Sequence, residues 1–136
     1  MKKVLILCTG NSCRSIIAEG LINKYFNNIK AYSAGSNPSK KVNPYAKKVL
    51  EEENAWEDKY YSKTIEEVMQ YAPFELTITV CDNASKNCPI FPNTKTIHMP
   101  FEDPNGKEYQ EFIKIKEDLK KRLFPILNSS LPNNKI

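Results

Sequence analysis

The chain is poor in histidine and arginine, and it has no long apolar run. Among its 136 residues are one histidine and only two arginines against 18 lysines. With no second histidine, we interpret His98 as a strand-end residue and not as a catalytic base. No apolar run approaches the roughly 18 residues of a membrane helix. Only a few apolar residues separate Lys3 from Thr9, so we expect no signal peptide, no membrane contact and a cytoplasmic location.

Length and charge place the chain among small globular domains. The sequence predicts one domain, at 1–127, followed by a polar tail at 128–136, with no internal repeat or linker. The formal net charge is +4, and pairs of lysines alternate with acidic clusters. This pattern favours a solvated surface over the alternative of nucleic-acid binding, and we expect a monomer. Four cysteines in a cytoplasmic chain favour redox or catalytic work over a framework of structural disulfides.

Apolar periodicity predicts strands that alternate with helices. Strands are predicted at 4–7, 30–33, 74–80 and 95–98, and helices at 14–27, 44–53, from 64 towards Pro73, and 108–127. Asn43 and Pro44 are typical of a helix start, and Thr64 with Glu67 fits a capping box. The alternation predicts a single α/β domain with a four-stranded parallel sheet and helices on both faces. Cys8 and Cys81 both follow predicted strands, and ligands of such sheets bind beyond the strands' carboxyl ends.

The segment from Cys8 to Arg14 has the pattern of an anion-binding loop with a sulfur nucleophile. A strand precedes it, Gly10 lets the backbone bend, and a helix follows. Free N–H groups of the turn and of the helix start bind anions and favour a thiolate. Arg14 supplies a planar fork for two oxygens of a tetrahedral anion. The alternative interpretation is a buried strand-end cysteine beside a surface arginine.

Cys81 and Cys88 form a second constellation, seven residues apart in a polar segment. In a helix their Cα atoms would lie ~10.5 Å apart along the axis, whereas a disulfide needs roughly 4.4–6.8 Å. A bond between them therefore requires the segment to unwind or loop, which its polar composition makes inexpensive. The pair is a candidate redox switch. Two idle cysteines, or a zinc site that also uses Cys8 and Cys13, are the alternatives.

Asp103 follows the fourth predicted strand and precedes Pro104. A carboxylic acid at that edge of the sheet can protonate a leaving oxygen. An ordinary Asp-Pro turn is the alternative explanation.

Together these residues resemble the low-molecular-weight phosphatase fold, and specifically its thioredoxin-coupled arsenate reductase branch. The resemblance covers nearly the whole chain and rests on several short motifs. These are Cys8–Ser15, Ala18–Gly20, Tyr32–Gly35, Val42–Pro44, the Cys81/Cys88 pair, and Asp103-Pro104 with Gly106–Glu108. Phosphatases of this fold usually have tyrosine after Asp-Pro, where this chain has Asn105.

The resemblance implies a relay of three thiols. Cys8 attacks arsenate held by Arg14 and the loop, and Asp103 protonates the departing oxygen. Cys81 then attacks the Cys8 sulfur and arsenite leaves, after which Cys88 attacks Cys81 and thioredoxin reduces the resulting disulfide. The substrate-binding residues implied are Thr9, Gly10, Asn11, Ser12, Cys13, Arg14 and Ser15.

The resemblance also bears on cofactors and on rival functions. Some members bind a monovalent cation through residues matching Asn11, Glu19 and Ser33 plus an acid, for which this chain has Thr64. We therefore expect no metal and no bound cofactor, with thioredoxin as the external reductant and phosphate or sulfate as competing oxyanions.

The rivals are a protein tyrosine phosphatase using only Cys8, Arg14 and Asp103, and a non-enzymatic oxyanion or redox sensor that binds a partner protein.

Overall fold

The fold is an α/β domain built on one parallel sheet. A computed structural model describes residues 1–81 and 94–131. The strands are β1 (Lys2–Cys8), β2 (Ile29–Gly35), β3 (Leu76–Thr79) and β4 (Thr96–His98). They lie in the order β2-β1-β3-β4, and every neighbouring pair is parallel. The predicted four-stranded parallel sheet is confirmed.

Helices cover both faces of this sheet. They are α1 (Arg14–Tyr25), α2 (Pro44–Glu52), α3 (Ile65–Val68), which continues into a 3-10 turn at Met69–Tyr71, and α4 (Tyr109–Ser130). β1 is apolar without alternation because both of its faces are buried. Val4 and Ile6 pack in the main core with α1, α2 and α4, whereas Leu5 and Leu7 pack with Val68 on the opposite face.

The predicted helix starts are present, and several predicted ends shift by a few residues. Asn43 caps α2, because its side chain accepts a hydrogen bond from the Tyr45 N–H, and Thr64 forms a full capping box with Glu67. The largest shift is at the C-terminus. α4 continues three residues past the predicted end at 127, and Leu131 is buried after it. Residues 132–136 of the predicted tail lie outside the described residues.

Glu53, at the end of α2, joins three helices. Its carboxylate accepts hydrogen bonds from Lys116 and Lys120 of α4 and from the Tyr25 hydroxyl of α1. Partial burial opposes its ionisation. The hydrogen bonds from Lys120, Tyr25 and Lys116 outweigh that effect and lower the pKa of Glu53 to about 2.

We expect Glu53→Gln to lower the free energy of unfolding at neutral pH by about 1–2 kcal/mol. The native pKa lies below the unfolded value of about 4.3, so this stability is present above pH ~4.3 and is lost as the pH falls towards about 2. Urea titrations at several pH values should show the free energies of unfolding of the unsubstituted protein and of Glu53→Gln converging as the pH falls through that range. Glu51→Gln, on the same helix, is the matched control, and a pH-independent difference would contradict the assignment.

Candidate functional site

The Cys8 sulfur lies at the floor of the loop between β1 and α1. Its Sγ accepts a hydrogen bond from the Asn11 backbone N–H at 3.2 Å and lies 2.9 Å from the Ser15 hydroxyl. Cys8 is a free thiol and only 1% exposed. The sulfur is thus held in place at the loop between β1 and α1, and this arrangement suits a nucleophile.

Asn11, rather than Gly10, makes the sharp bend of this loop. Its backbone is left-handed, with φ of 48°, and its side chain fixes that conformation from two sides. The side-chain amide donates to the Ser15 hydroxyl at 2.7 Å, and its oxygen accepts from the Lys63 backbone N–H at 2.7 Å. The sequence-based expectation that Gly10 provides the bend is therefore corrected. Asparagine tolerates the left-handed region because its side chain can hydrogen-bond locally.

Gly35 lets the loop approach β2 closely. A Cβ at this position would lie 2.5 Å from the carbonyl oxygen of Thr9 and 3.0 Å from the Asn11 Cβ. Any larger residue would therefore push the loop away from the strand that supports it. The glycine that ends the Tyr32–Gly35 motif is therefore needed for steric reasons.

A cavity of about 200 Å³ opens above the sulfur. It is lined by residues 8–14 of the loop, by Ser39, and by Asp103 and Asn105. Its volume suits a tetrahedral oxyanion. Of the predicted residues, Cys8 to Arg14 border it, whereas Ser15 does not and instead contacts the Cys8 sulfur. Ser39 and Asn105 also border it, although neither was predicted as a site residue. Asn105 follows the Asp-Pro motif noted in the sequence, whereas the segment around Ser39 gives no signal for this role.

Arg14 and Asp103 face each other at this cavity. An Arg14 Nη lies 3.7 Å from an Asp103 carboxylate oxygen, and the other Nη donates to the Phe101 carbonyl at 3.1 Å. Arg14 is nearly buried, whereas the Asp103 side chain is 46% exposed. Asp103 also accepts the Asn105 N–H at 3.0 Å, so it makes the expected turn while lining the cavity.

Cys81 is buried beside the same loop. It follows β3, the strand next to β1, and the Thr9 hydroxyl donates to its sulfur at 3.7 Å. Cys81 is disulfide-bonded, whereas Cys8 and Cys13 are free. Cys81 therefore contacts Thr9, the neighbour of Cys8, at the carboxyl end of the sheet. Cys88 lies outside the described residues.

Cys13 is in an environment that does not favour reactivity. Burial raises the pKa of Cys13 to about 11, and the contact with the Ser12 hydroxyl offsets this only in part. Cys13 is therefore a neutral thiol at physiological pH. His98 ends β4, as expected, and one ring nitrogen lies 2.6 Å from the Thr79 hydroxyl.

Beneath the loop lies a buried ion pair that the sequence does not reveal. The Lys63 ammonium is 3.6 Å from the Glu19 carboxylate, and both side chains are less than a tenth exposed. Glu19 also accepts the Ser33 hydroxyl at 2.5 Å. Burial raises the pKa of Glu19 and lowers that of Lys63, while each partner's charge opposes the shift. Because an ammonium already neutralises Glu19, these residues do not fit a monovalent cation.

We expect Lys63→Met to destabilise the fold by about 3–5 kcal/mol, because it leaves the Glu19 carboxylate buried without its counter-charge. Urea unfolding measures the effect. The matched control is Lys24→Met, which replaces an exposed lysine of α1 and should change the free energy of unfolding little. Adding Glu19→Gln to Lys63→Met should recover part of the loss, and a further loss of stability would contradict the interpretation.

The described residues contain neither a candidate metal cluster nor a candidate membrane-spanning helix. Within 1–81 and 94–131, no three histidine, cysteine or acidic side chains come together in a way that could hold a metal ion. In the same ranges, no helix combines the length and the apolar character needed to span a bilayer.

Comparisons with known proteins agree with this geometry. Residues 3–135 match the family model described as low molecular weight phosphotyrosine protein phosphatase. Arsenate reductase 1 of Staphylococcus saprophyticus is 37% identical over 125 residues, or 88% of this chain and 91% of that protein. The crystal structure of arsenate reductase from Archaeoglobus fulgidus has a TM-score of 0.80 and 28% identity, covering 92% of this chain and 98% of that one. A thioredoxin-dependent arsenate reductase of Corynebacterium glutamicum has a TM-score of 0.69 and 25% identity, over 95% of this chain and 63% of that one.

Proposed function

The chain belongs to the low molecular weight phosphotyrosine protein phosphatase family, and on that premise we propose that it is an arsenate reductase regenerated by thioredoxin. The observation that carries the proposal is the contact between Thr9 and the Cys81 sulfur. It brings a second cysteine sulfur to the anion loop, and phosphate ester hydrolysis does not require one. The names of the relatives at 34–37% identity support the same substrate.

In the first step, the Cys8 thiolate attacks arsenic(V) in the cavity above it. The loop amides and Arg14 hold the oxyanion, and they stabilise the charge that builds up in the transition state. Asp103, 3.7 Å from Arg14, gives a proton to the departing oxygen, which leaves as water. The product is a covalent adduct with a Cys8 sulfur–arsenic bond, and arsenic is still pentavalent.

In the second step, Cys81 attacks the Cys8 sulfur. The sulfur–arsenic bond breaks, its electron pair stays on arsenic, and arsenite(III) leaves as a Cys8–Cys81 disulfide forms. Cys88 then attacks Cys81, which frees Cys8 and moves the disulfide to Cys81 and Cys88. The free Cys8 thiol beside a disulfide-bonded Cys81 is consistent with the end of this relay.

Two electrons from reduced thioredoxin close the cycle. The net reaction reduces one arsenate to arsenite and water while one thioredoxin dithiol becomes a disulfide. We propose that this takes place in the cytoplasm, where thiols are kept reduced, and that the protein acts as a monomer without a bound cofactor.

We expect NADPH oxidation that depends on arsenate in an assay that couples the protein to thioredoxin and thioredoxin reductase. Phosphate in place of arsenate should give no oxidation, because phosphorus(V) does not accept the two electrons. Phosphate should instead compete with arsenate and raise its KM. If arsenate gives no NADPH oxidation with a fully reduced protein, the proposal fails.

The alternative, a protein tyrosine phosphatase, is favoured by the family itself, because Cys8, Arg14 and Asp103 suffice for phosphate ester hydrolysis. We propose this only as a weak side activity on small aryl phosphates. Asn105 borders the cavity at the position where phosphatases of this fold usually have tyrosine. An aromatic substrate therefore has no tyrosine ring to pack against at that position. Aryl phosphate turnover that exceeds arsenate reduction, and persists in Cys81→Ser, would establish the alternative.

A further inference from the structure

A second cavity, of about 260 Å³, shares no lining residue with the one above Cys8. Three lysines, four tyrosines and the buried Glu19 border most of it. The lysines are Lys30, at the start of β2, and Lys59 and Lys63, in the connection between α2 and α3. Positive side chains thus come together at a recess that the relay does not use.

The charges of this recess are not balanced by the residues around it. Lys63 pairs with Glu19, and Lys59 lies 3.5 Å from Glu57. Within the part of the chain that the structure describes, Lys30 forms no ion pair. Lys30 and Lys59 both border this cavity, and the interaction with Lys59 is the main cause of a lowered pKa of Lys30. Ammonium groups that share one cavity repel each other, and an anion bound between them would remove that cost.

Tyrosine rings form the rest of the wall. Tyr32 stacks on Tyr71 with ring centroids 4.6 Å apart, and the Lys63 ammonium lies 4.8 Å from the centre of the Tyr61 ring. Tyr61 and Tyr71 are 50% and 38% exposed, so ring surface remains open at the cavity. Such surface can pack against an aromatic group attached to an anion.

We propose that this cavity is a second anion site, which binds a phosphate or sulfate group between Lys30 and Lys59. A dianion there accepts hydrogen bonds from both ammonium groups and converts their repulsion into attraction. The same chemistry has two sources: a free inorganic oxyanion, or the phosphate of an aryl ester whose ring packs on Tyr61 and Tyr71. The proposal does not depend on the reaction at Cys8, since the two cavities are lined by different residues.

The test is an amide NMR titration of the Cys8→Ser protein, which cannot turn over, with inorganic phosphate and with phenyl phosphate. We expect two separately saturating groups of shifted amides, one at 8–15 and one at 30–32 and 59–63. Adding Lys30→Gln with Lys59→Gln should weaken binding at the second group roughly tenfold or more and leave the first unchanged. The retained first group also shows that the variant is folded.

The matched control is Lys47→Gln with Lys48→Gln, which removes the same charge from the exposed side of α2 and should leave both groups unchanged. Tighter binding of phenyl phosphate than of phosphate at the second group would identify an aryl ester as the ligand class, and equal binding a free oxyanion. Shifts confined to 8–15, or a second group insensitive to Lys30→Gln with Lys59→Gln, would overturn the proposal.

Discussion

The Cys8→Ser variant should release no arsenite above the background of a protein-free reaction. The Cys8 sulfur accepts a hydrogen bond from the Asn11 backbone N–H and lies 2.9 Å from the Ser15 hydroxyl, an arrangement that suits a sulfur nucleophile. Serine offers a neutral hydroxyl there, and no general base among the described residues contacts it. An oxygen at this position also cannot form the disulfide on which the release of arsenite depends. Both steps at Cys8 are therefore lost together, and arsenate should still bind.

Arsenite release per protein molecule is the measurement, with circular dichroism to verify folding. Cys13→Ser is the matched comparison, because it makes the same chemical change at a thiol that burial keeps neutral. We expect that variant to keep measurable turnover. Arsenite release by Cys8→Ser at a rate similar to that of Cys13→Ser would assign the nucleophile to a different residue.

Local chemical signals in the sequence account for most of the fold. The apolar run at Val4–Leu7 predicts a strand buried on both faces, and in the structure Val4 and Leu5 pack on opposite sides of the sheet. Asn43 and Thr64 predict helix starts because a capping side chain acts on backbone groups two or three residues away. Such signals are complete within a few residues, so they can be recognised without tertiary information.

The parts of the site that sequence reasoning missed depend on distant contacts. The left-handed conformation of Asn11 is held in part by the Lys63 backbone N–H, 52 residues later, which donates to its side chain. Lys63 looks like any of the 18 lysines of the sequence until the fold buries its ammonium against Glu19. Helix ends shift for the same reason. α4 continues past the predicted end at Leu127 to Ser130, through a polar segment, because Leu131 packs in the core after it.

The Cys88→Ser variant should release about one arsenite per protein molecule and then stop. Cys81 remains able to attack the Cys8–arsenic adduct, so the first turnover is complete. The resulting Cys8–Cys81 disulfide then has no third thiol to move it. Both cysteines are only 1% exposed in the described structure, and thioredoxin must touch a sulfur to reduce it. We therefore expect the third cysteine to be needed to move the disulfide off the buried Cys8.

A quenched reaction, alkylated and analysed by mass spectrometry, distinguishes this stalled state from a failure of the first step. The stalled Cys88→Ser protein should contain one disulfide that links Cys8 and Cys81. The Cys81→Ser protein should lack that disulfide and should release no arsenite. A small dithiol, which can reach sulfurs that a protein cannot, should restore turnover to Cys88→Ser but not to Cys8→Ser. Sustained turnover of Cys88→Ser with thioredoxin alone would mean that thioredoxin reaches the buried disulfide directly, and the three-thiol relay would then be wrong.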